Sequence, residues 1–251
     1  MGKSSAALNM AIDEAVLLSQ RETSKPTLRF YDWETPAFSF GYFQDITAAV
    51  DVEKCRAEGI ELVKRMTGGG TVVHGWELTY TLILPRTTGE ISVSEAYQRI
   101  GESLVNAFQK LEVPAQCYKA CPEPSGAAPN ICLTNPAAYD VMLNGKKLAG
   151  VSVRRNRDGM MFQGYISLDM PPAIMLNRIS VDSGVQQRVR EKSTAVNVAG
   201  RSITRETLIQ AICETFEIGV TFKRGELSPK ERAHAETLVD TKYTKAAWNF
   251  Q

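Results

Sequence analysis

Three short segments of this 251-residue sequence combine residue types that could do chemistry. The first, residues 64–74, reads KRMTGGGTVVH. Three consecutive glycines let the backbone pass close to a ligand, and Val72 and Val73 offer an apolar wall, which together suit an acyl chain with a polar head. The alternative is a glycine-rich hairpin turn with a basic flank. The segment is not a Walker-type phosphate loop, because the GK[ST] ending is absent.

The second segment, residues 144–150, reads NGKKLAG and places two lysines directly after a tight-turn dipeptide. A lysine that points into a cleft can orient a thioester or acyl-phosphate carbonyl and stabilise the oxyanion that forms on it. The alternative is that Lys146 and Lys147 are both solvated hairpin charges, which is the usual state of a lysine. Taken alone, the segment favours that alternative.

The third segment is the loop NICLTNP, residues 130–136, which contains Cys132. A thiol beside a cationic lysine has a lowered pKa and can attack a thioester to form an acyl-cysteine. The alternative is a buried, inert cysteine. His74 poses a similar choice between orienting a ligand and filling a polar corner, and since the sequence shows no partner for it we favour the second.

The remaining cysteines and the overall charge exclude several classes of site and partner. Five scattered cysteines without a CxxC pair and only two histidines predict neither a disulfide framework nor a metal site. A formal net charge of +1 argues against nucleic acid as the main partner. No stretch reaches the roughly 18 apolar residues of a membrane span, and carboxylates interrupt the N-terminal apolar stretch, so we expect no membrane association and a cytoplasmic location.

Helical periodicity predicts several of the elements that must position these segments. The clearest apolar stripe begins after Ser92, which together with Glu95 has the spacing of a capping box. A second stripe, residues 5–19, predicts a helix with Asp13 and Glu14 turned outward. Further helices are predicted over residues 47–58, over residues 204–216 and after Ser228-Pro229.

Runs of β-branched and aromatic residues predict strands. They cover residues 27–33, 37–43, 61–66, 71–74, 78–84, 139–143, 146–153 and 160–168. The last three are joined by Asn144-Gly145 and Asp158-Gly159, the dipeptides most typical of tight hairpins, and so form an antiparallel meander. Residues 117–136, rich in Pro, Gly, Ala and Asn, are expected to form a long loop. Strands and helices without strict βαβ alternation indicate an α+β fold.

The three segments, in this order, resemble the biotin/lipoate protein ligase superfamily, and within it the cysteine-dependent octanoyltransferases of the lipoyl/octanoyl transferase branch. Residues 65–74 are similar to the family's arginine, TGG and apolar-apolar-His signature. Residues 145–150 are similar to its element of glycine, basic residue, lysine, two apolar residues and glycine, in which Lys147 matches the functional lysine. Cys132 stands where these transferases carry their acylated cysteine, and Gln163-Gly164 resembles the family's His/Gln-Gly step.

The resemblance implies one catalytic domain over residues 1–251, with a mixed, mostly antiparallel β-sheet packed with helices, in agreement with the α+β pattern. It implies Cys132 and Lys147 as the catalytic residues, and no metal. The chain departs from the family pattern at residues 151–155 and at Phe162, which leaves donor specificity open. The substrate-binding residues implied are Arg65, Thr67, Gly68, Gly69, Gly70, Val72, Val73, His74, Gly150, Gln163 and Gly164.

The activity implied is that of an octanoyltransferase. Such an enzyme moves an octanoyl or lipoyl group from an acyl carrier protein thioester, through an acyl-cysteine, to a lysine of a lipoyl-domain protein such as the glycine-cleavage H protein, and it requires no cofactor. One alternative is an ATP-dependent lipoate or octanoate ligase, which needs ATP and Mg and leaves Cys132 a bystander. Another is a non-catalytic binder of acyl carriers. Arg154, Arg155 and Arg157 are either a basic rim for acidic carriers or solvated strand charges.

Overall fold

The computed structural model describes residues 2–86, 91–119, 134, 136–179, 184–198 and 200–251. The strands of this part are β1 (Lys3–Ser4), β2 (Thr27–Trp33), β3 (Ala37–Phe40), β4 (Glu61–Lys64), β5 (Val72–His74), β6 (Glu77–Pro85), β7 (Ala115–Cys117), β8 (Val141–Leu143), β9 (Lys146–Arg155) and β10 (Gly159–Ser167). Its helices are α1 (Ala6–Thr23), α2 (Ile46–Ala49), α3 (Val52–Ala57), α4 (Val93–Lys110), α5 (Ala173–Leu176), α6 (Val185–Lys192), α7 (Arg205–Thr215), α8 (Pro229–Leu238) and α9 (Ala246–Asn249), with a π-helix at Val239–Tyr243.

Two sheets organise the described residues. The large sheet has the strand order β1-β2-β6-β10-β9-β8-β7, and every neighbouring pair from β2 to β7 is antiparallel. The small sheet has the order β4-β3-β5, in which β3 and β4 are parallel. The predicted α+β fold with a mostly antiparallel sheet is therefore confirmed.

The central strand β10 sends its side chains alternately to the two faces of the large sheet. Phe162 and Ile166 pack in the core that includes side chains of α4 and α7. On the other face, Met161 packs with α1, and Tyr165 packs with side chains of the small sheet. The small sheet and α1 thus lie on the same side of β10, and the space between them and the large sheet is where a cavity can form.

The predicted meander is formed by β8, β9 and β10. Asn144 and Gly145 both adopt positive φ angles, 52° and 75°, as the tight turn between two antiparallel strands requires. The helix predicted after Ser92 is α4, whose N-terminus is capped by the Ser92 hydroxyl accepting from the backbone N–H of Glu95. These elements follow from local sequence signals and place Lys147 near the start of β9.

The prediction that Asp13 and Glu14 turn outward from the first helix is wrong. Both side chains are buried in α1. Asp13 accepts a 2.7 Å hydrogen bond from Arg29, and Glu14 accepts one of 2.7 Å from Lys242. A carboxylate stays charged inside a protein when a cation pairs with it. Helical spacing could not reveal this burial, because the cations lie 16 and 228 residues away along the chain.

The helix predicted over residues 47–58 is divided into α2 and α3. Val50 leaves the helical conformation and forms an isolated bridge with Ile179, and the Asp51 side chain then caps α3 by accepting from the Lys54 N–H. Gly59, which follows α3, adopts φ of 67°, as a helix-ending glycine does.

The strand predicted over residues 37–43 ends at Phe40. At Gly41 the chain meets the glycine-rich segment so closely that a Cβ there would lie 1.9 Å from the Gly69 carbonyl oxygen. Several elements were not predicted, among them β7, which ends at Cys117 where the long loop was expected to begin, and α6 in the polar segment after β10. Most of the expected loop at residues 117–136 lies outside the described residues.

In the part of the chain that the structure describes, no helix is long and apolar enough to cross a membrane. The same residues contain no group of three or more His, Cys, Asp or Glu side chains placed to hold a metal ion.

Candidate active site

A cavity lies between the large sheet and the small sheet, with an empty volume of about 340 Å³ that is partly open to solvent. Several residues predicted to bind substrate line it: Arg65, Val72, His74, Gly150, Gln163 and Gly164. Aromatic and aliphatic side chains complete much of the wall, among them Met10, Tyr31, Trp33 and Tyr165. A mostly apolar lining with a few placed polar groups is typical of small-molecule sites.

Lys147 is buried beside this cavity. Its ammonium nitrogen lies 2.7 Å from Oδ2 of Asp140, and the two side chains are only 3% and 2% exposed. The same nitrogen lies 6.0 Å from the ring centre of Tyr165, which lines the cavity. Lys146 instead reaches over the surface and donates to the Arg190 carbonyl at 2.6 Å. Of the two neighbouring lysines, Lys147 is the one that faces the cavity region.

Asp140 is fixed by main-chain donors as well as by Lys147. The Ala137 N–H donates to Oδ2 at 2.6 Å, and the Val151 N–H also bonds the carboxyl group. Burial raises the pKa of Asp140, and the charge of Lys147 opposes that rise. Since each charge is costly to bury alone, the pair holds the lysine side chain in one position.

Gly150 makes room for the lysine. A Cβ at this position would lie 2.8 Å from Cε and 2.9 Å from Nζ of Lys147. Because Gly150 itself lines the cavity, the ammonium group lies next to the cavity wall. A buried ammonium in this place can polarise the carbonyl of an acyl group whose tail occupies the cavity.

Arg65 holds the glycine-rich segment in shape. Its guanidinium donates to the carbonyls of Gly68 and Gly70, at 3.0 Å each, and to the carbonyl and hydroxyl of Ser39, at 2.7 and 2.8 Å. Between those two carbonyls Gly69 adopts φ of 89°, a conformation that favours glycine. Arg65 therefore positions the backbone of this segment beside the cavity.

Gln163 is the junction of a buried polar network under the cavity floor. Its amide nitrogen donates to Asp13 at 2.8 Å, and its carbonyl oxygen accepts from the Thr67 hydroxyl at 2.9 Å. These two bonds fix which way the amide points. Asp13 in turn accepts hydrogen bonds from Arg29, Tyr31 and Thr81.

His74 joins Ser39 and Glu77 in a buried hydrogen-bonded chain. Its Nε2 lies 2.6 Å from the Ser39 hydroxyl, and its Nδ1 lies 2.6 Å from Oε1 of Glu77. The ring stacks on Trp33 with 3.8 Å between centroids. Burial lowers the pKa of His74, which favours the neutral imidazole. His74 thus occupies a polar corner of the cavity wall, with partners that the sequence did not reveal.

The other predicted residues lie at different places around the site. Val72 lines the cavity, whereas its neighbour Val73 points to the opposite face of β5 because strand side chains alternate. Cys132 lies outside the described residues, so its proximity to Lys147 stays a prediction. Asp140 was missed in the sequence analysis. Its only signal in the sequence is its place directly before the apolar run of β8, and such an acid is not distinctive.

The sequence also matches a known family model, that of the lipoyl protein ligase A/B catalytic domain, over residues 5–217. The chain belongs to this family. The superfamily expected from the glycine-rich and lysine motifs is therefore confirmed.

Within the lipoyl protein ligase A/B family, the chain is similar over its whole length to proteins named octanoyltransferase LipM. The protein of Kyrpidia tusciae is 37% identical, with 100% of this chain and 96% of the relative covered. The protein of Bacillus subtilis is 30% identical with the same coverage. The predicted enzyme class agrees with the names of these relatives.

Solved structures of this family share the fold. Lipoate-protein ligase A bound with ATP superposes with a TM-score of 0.83 at 22% identity, covering 99% of this chain and 95% of the other. A lipoate protein ligase from T. acidophilum with bound lipoic acid gives a TM-score of 0.80 at 21% identity, with the same coverage. At these identities the likeness concerns the architecture alone.

Proposed function

We propose that this chain is an octanoyltransferase that works through an acyl-cysteine on Cys132. In the first step the Cys132 thiolate attacks the carbonyl carbon of an octanoyl thioester, the new C–S bond forms, the C–S bond to the donor breaks, and the donor leaves as its thiolate. In the second step the amine of an acceptor lysine attacks the acyl-cysteine, an amide C–N bond forms, and the Cys132 thiolate leaves while the amine loses a proton. The products are an octanoyl-lysine and the free enzyme.

One observation carries the proposal: the buried ammonium of Lys147, held 2.7 Å from Asp140 beside a cavity wall at Gly150. An ammonium fixed in a low-dielectric place stabilises the oxyanion of a tetrahedral intermediate better than one in water, because it needs no reorganisation as the charge develops. The same positive charge lowers the pKa of a thiol brought next to it. Both steps of the reaction use these two effects.

The cavity can accommodate the acyl tail. Val72, Trp33 and Tyr165 provide apolar surface, and the polar groups behind them are already hydrogen-bonded to one another. An aliphatic chain can enter such a space without leaving protein donors or acceptors unpaired. The eight-carbon acyl group named for the relatives fits this kind of lining.

The donor in this proposal is an acyl carrier protein thioester, and the acceptor is a lipoyl-domain protein such as the glycine-cleavage H protein. A related-fold ligase from Thermoplasma acidophilum is described together with its E2 lipoyl domain, which supports a lipoyl domain as acceptor here. No cofactor takes part, because a thioester already carries the free energy needed to form an amide. The octanoyltransferase relatives support this choice over an ATP-dependent ligase.

Mass spectrometry of the intact protein mixed with octanoyl carrier protein tests the proposal. We expect one octanoyl adduct, mapped to Cys132 and lost on addition of the acceptor protein. Cys132→Ala abolishes both the adduct and the transfer, whereas Cys213→Ala, at an exposed free cysteine, leaves them unchanged.

Two results would contradict it. Transfer by Cys132→Ala with free octanoate and ATP would identify a ligase that works through an acyl-adenylate. Tight binding of octanoyl carrier protein without any covalent adduct would identify a non-catalytic binder.

A further inference from the structure

Phe43 is a large apolar side chain displayed to solvent beside the candidate active site. It is 87% exposed. It stands against the Tyr42 ring in an edge-to-face contact with 5.0 Å between centroids. Single exposed apolar residues are common, so exposure alone decides nothing. Its position and its neighbours are what distinguish it.

The loop that presents Phe43 is tied to the glycine-rich segment. The Tyr42 N–H donates to the Thr67 carbonyl at 2.9 Å. The Gln44 side chain accepts from the Gly41 N–H at 2.9 Å and donates to the Thr71 hydroxyl at 3.2 Å. Phe43 is therefore held in a fixed position next to the segment that borders the cavity. Because its backbone is already fixed, only the Phe43 side chain loses conformational freedom when a partner covers it.

Arg154, which has no ion pair with any residue that the structure describes, adds a cation to the same place. Along β9, Gly150, Ser152 and Arg154 point to the same face, and the first two line the cavity. The Arg154 guanidinium carbon lies 5.0 Å from the ring centre of Tyr42. Its Nε is buried and has no hydrogen-bond partner within the described ranges. Arg154 therefore lies on the same face of β9 as the cavity-lining residues, one step beyond Ser152 toward the end of the strand.

The end of the β9–β10 hairpin, next to Arg154, carries two further cations. Arg155 and Arg157 are exposed and form no ion pair with the residues that the structure describes, but Arg155 points to the face of β9 opposite to that of Arg154. The acid nearest to them in sequence, Asp158, is paired with Arg21. The hairpin end therefore keeps an excess of positive charge.

We propose that Tyr42, Phe43 and Arg154 form a docking patch for the acidic carrier protein that delivers the acyl thioester on a long flexible arm. This rests on the proposed function for the nature of the donor. Arg154 and the positive charge of the hairpin end next to it favour an acidic surface by charge complementarity, and Phe43 is the apolar anchor.

The position of the patch favours the donor over the acceptor as its occupant. Four residues of extended strand separate Gly150, next to Lys147, from Arg154, which is about 13 Å between Cα atoms. A thiol on a long arm spans that distance from a carrier seated at the patch. The four-carbon stem of an acceptor lysine is shorter, so the acceptor must bring its own surface closer to Lys147.

Direct binding and acylation kinetics together test this patch. The variants are Phe43→Ser, Arg154→Glu and the double variant. We expect the double variant to weaken binding of octanoyl carrier protein, measured by calorimetry, by on the order of 10-fold or more, and to raise KM for that donor similarly. Acylation by a small donor, the octanoyl thioester of N-acetylcysteamine, stays within about 2-fold of wild type because that donor does not touch the patch. Transfer from the acyl-enzyme to the lipoyl-domain acceptor is unchanged.

Matched controls are Ile174→Ser, at a 56% exposed side chain in α5, and Arg224→Glu, at an exposed arginine after α7. Both should bind the carrier as wild type does. Equal losses with the small and the carrier donor, or unchanged carrier binding in the double variant, would overturn the patch. A wild-type protein that binds the carrier through these residues but gains no acyl adduct would leave the patch standing and refute the acyl-cysteine mechanism.

Discussion

Lys147 and Asp140 bring two opposite charges into the interior, and each depends on the other to remain there. Glycine at position 150 leaves the space that the ammonium occupies. Main-chain donors from Ala137 and Val151 keep the carboxylate still. These contacts together hold the Lys147 ammonium in one position beside the cavity.

Removing one partner separates the structural role of this pair from its chemical role. We expect Lys147→Met to lower the free energy of unfolding by roughly 3–5 kcal/mol, because it leaves Asp140 buried and unpaired, and to abolish acyl transfer. The double variant Asp140→Asn/Lys147→Met should regain most of the stability without regaining activity. Urea denaturation and an octanoyl-transfer assay measure the two effects. Wild-type transfer by the double variant would limit Lys147 to a structural role.

A methyl group at Gly150 tests the position of the ammonium without removing its charge. Gly150→Ala pushes against the end of the Lys147 side chain, so we expect kcat to fall on the order of 10- to 100-fold. The melting temperature should fall as well, since the added methyl group presses on the buried pair of Lys147 and Asp140. Gly225→Ala, where a Cβ meets nothing within 4 Å, is the control and should behave as wild type.

Among the elements, α1 is the one whose attachment bears most directly on the site. It contributes Met10 to the cavity wall and Asp13 to the network that orients Gln163. One residue further on, Glu14 bonds Lys242 and Tyr243 of the π-helix instead. Of these two neighbouring carboxylates, Asp13 therefore stabilises the cavity wall, whereas Glu14 attaches the C-terminal segment to α1.

This division predicts different outcomes for two similar substitutions. Asp13→Asn and Glu14→Gln should each destabilise the protein, by roughly 1–3 kcal/mol, because each leaves a partly buried cation, Arg29 or Lys242, without its carboxylate. Asp13→Asn should also raise KM for the octanoyl donor, since the Gln163 amide is no longer fixed, whereas Glu14→Gln should leave KM unchanged. Steady-state kinetics on both variants decide the matter. An equal rise in KM would mean that the helix acts as one rigid unit.

Local signals predicted the elements better than they predicted the site. The β8–β9–β10 meander followed from two turn dipeptides, and α4 followed from one cap and one apolar stripe. Asp13 and Glu14 were misplaced, because helical spacing does not report a cation far along the chain. The shared cavity of Val72, His74, Gly150 and Gln163 was expected from the resemblance, since nothing local links β5 to β9 and β10. Asp140 had no comparable signal.

In the whole molecule, the cavity lies between the two sheets, next to the buried hydrogen bonds that join His74 to Ser39 and Glu77. Burial lowers the pKa of His74 below the value of about 6.5 that an unfolded chain has. Below that pH the unfolded chain binds a proton that the folded protein does not, so acid favours unfolding. The stability linked to His74 is fully present above about pH 6.5 and decreases as the pH falls below it.

We therefore expect the free energy of unfolding to fall between about pH 7 and pH 5.5, with His74 contributing at most about 1.4 kcal/mol per pH unit. His74→Gln should flatten this dependence, even though it lowers stability at pH 7. His234→Gln, at an exposed histidine, should keep the wild-type slope. Urea denaturation at a series of pH values measures all three proteins. An unchanged slope in His74→Gln would show that other groups cause the acid sensitivity.

The pairing of Lys147 with Asp140 also bears on a hazard of the proposed chemistry. An enzyme that carries an activated acyl group next to a primary amine risks modifying itself irreversibly. Lys147 is an ammonium ion that donates to a carboxylate 2.7 Å away, and an ammonium nitrogen has no lone pair. It therefore cannot compete with the incoming acceptor amine for the acyl group. The contact that fixes the charge therefore also protects the catalyst from becoming its own substrate.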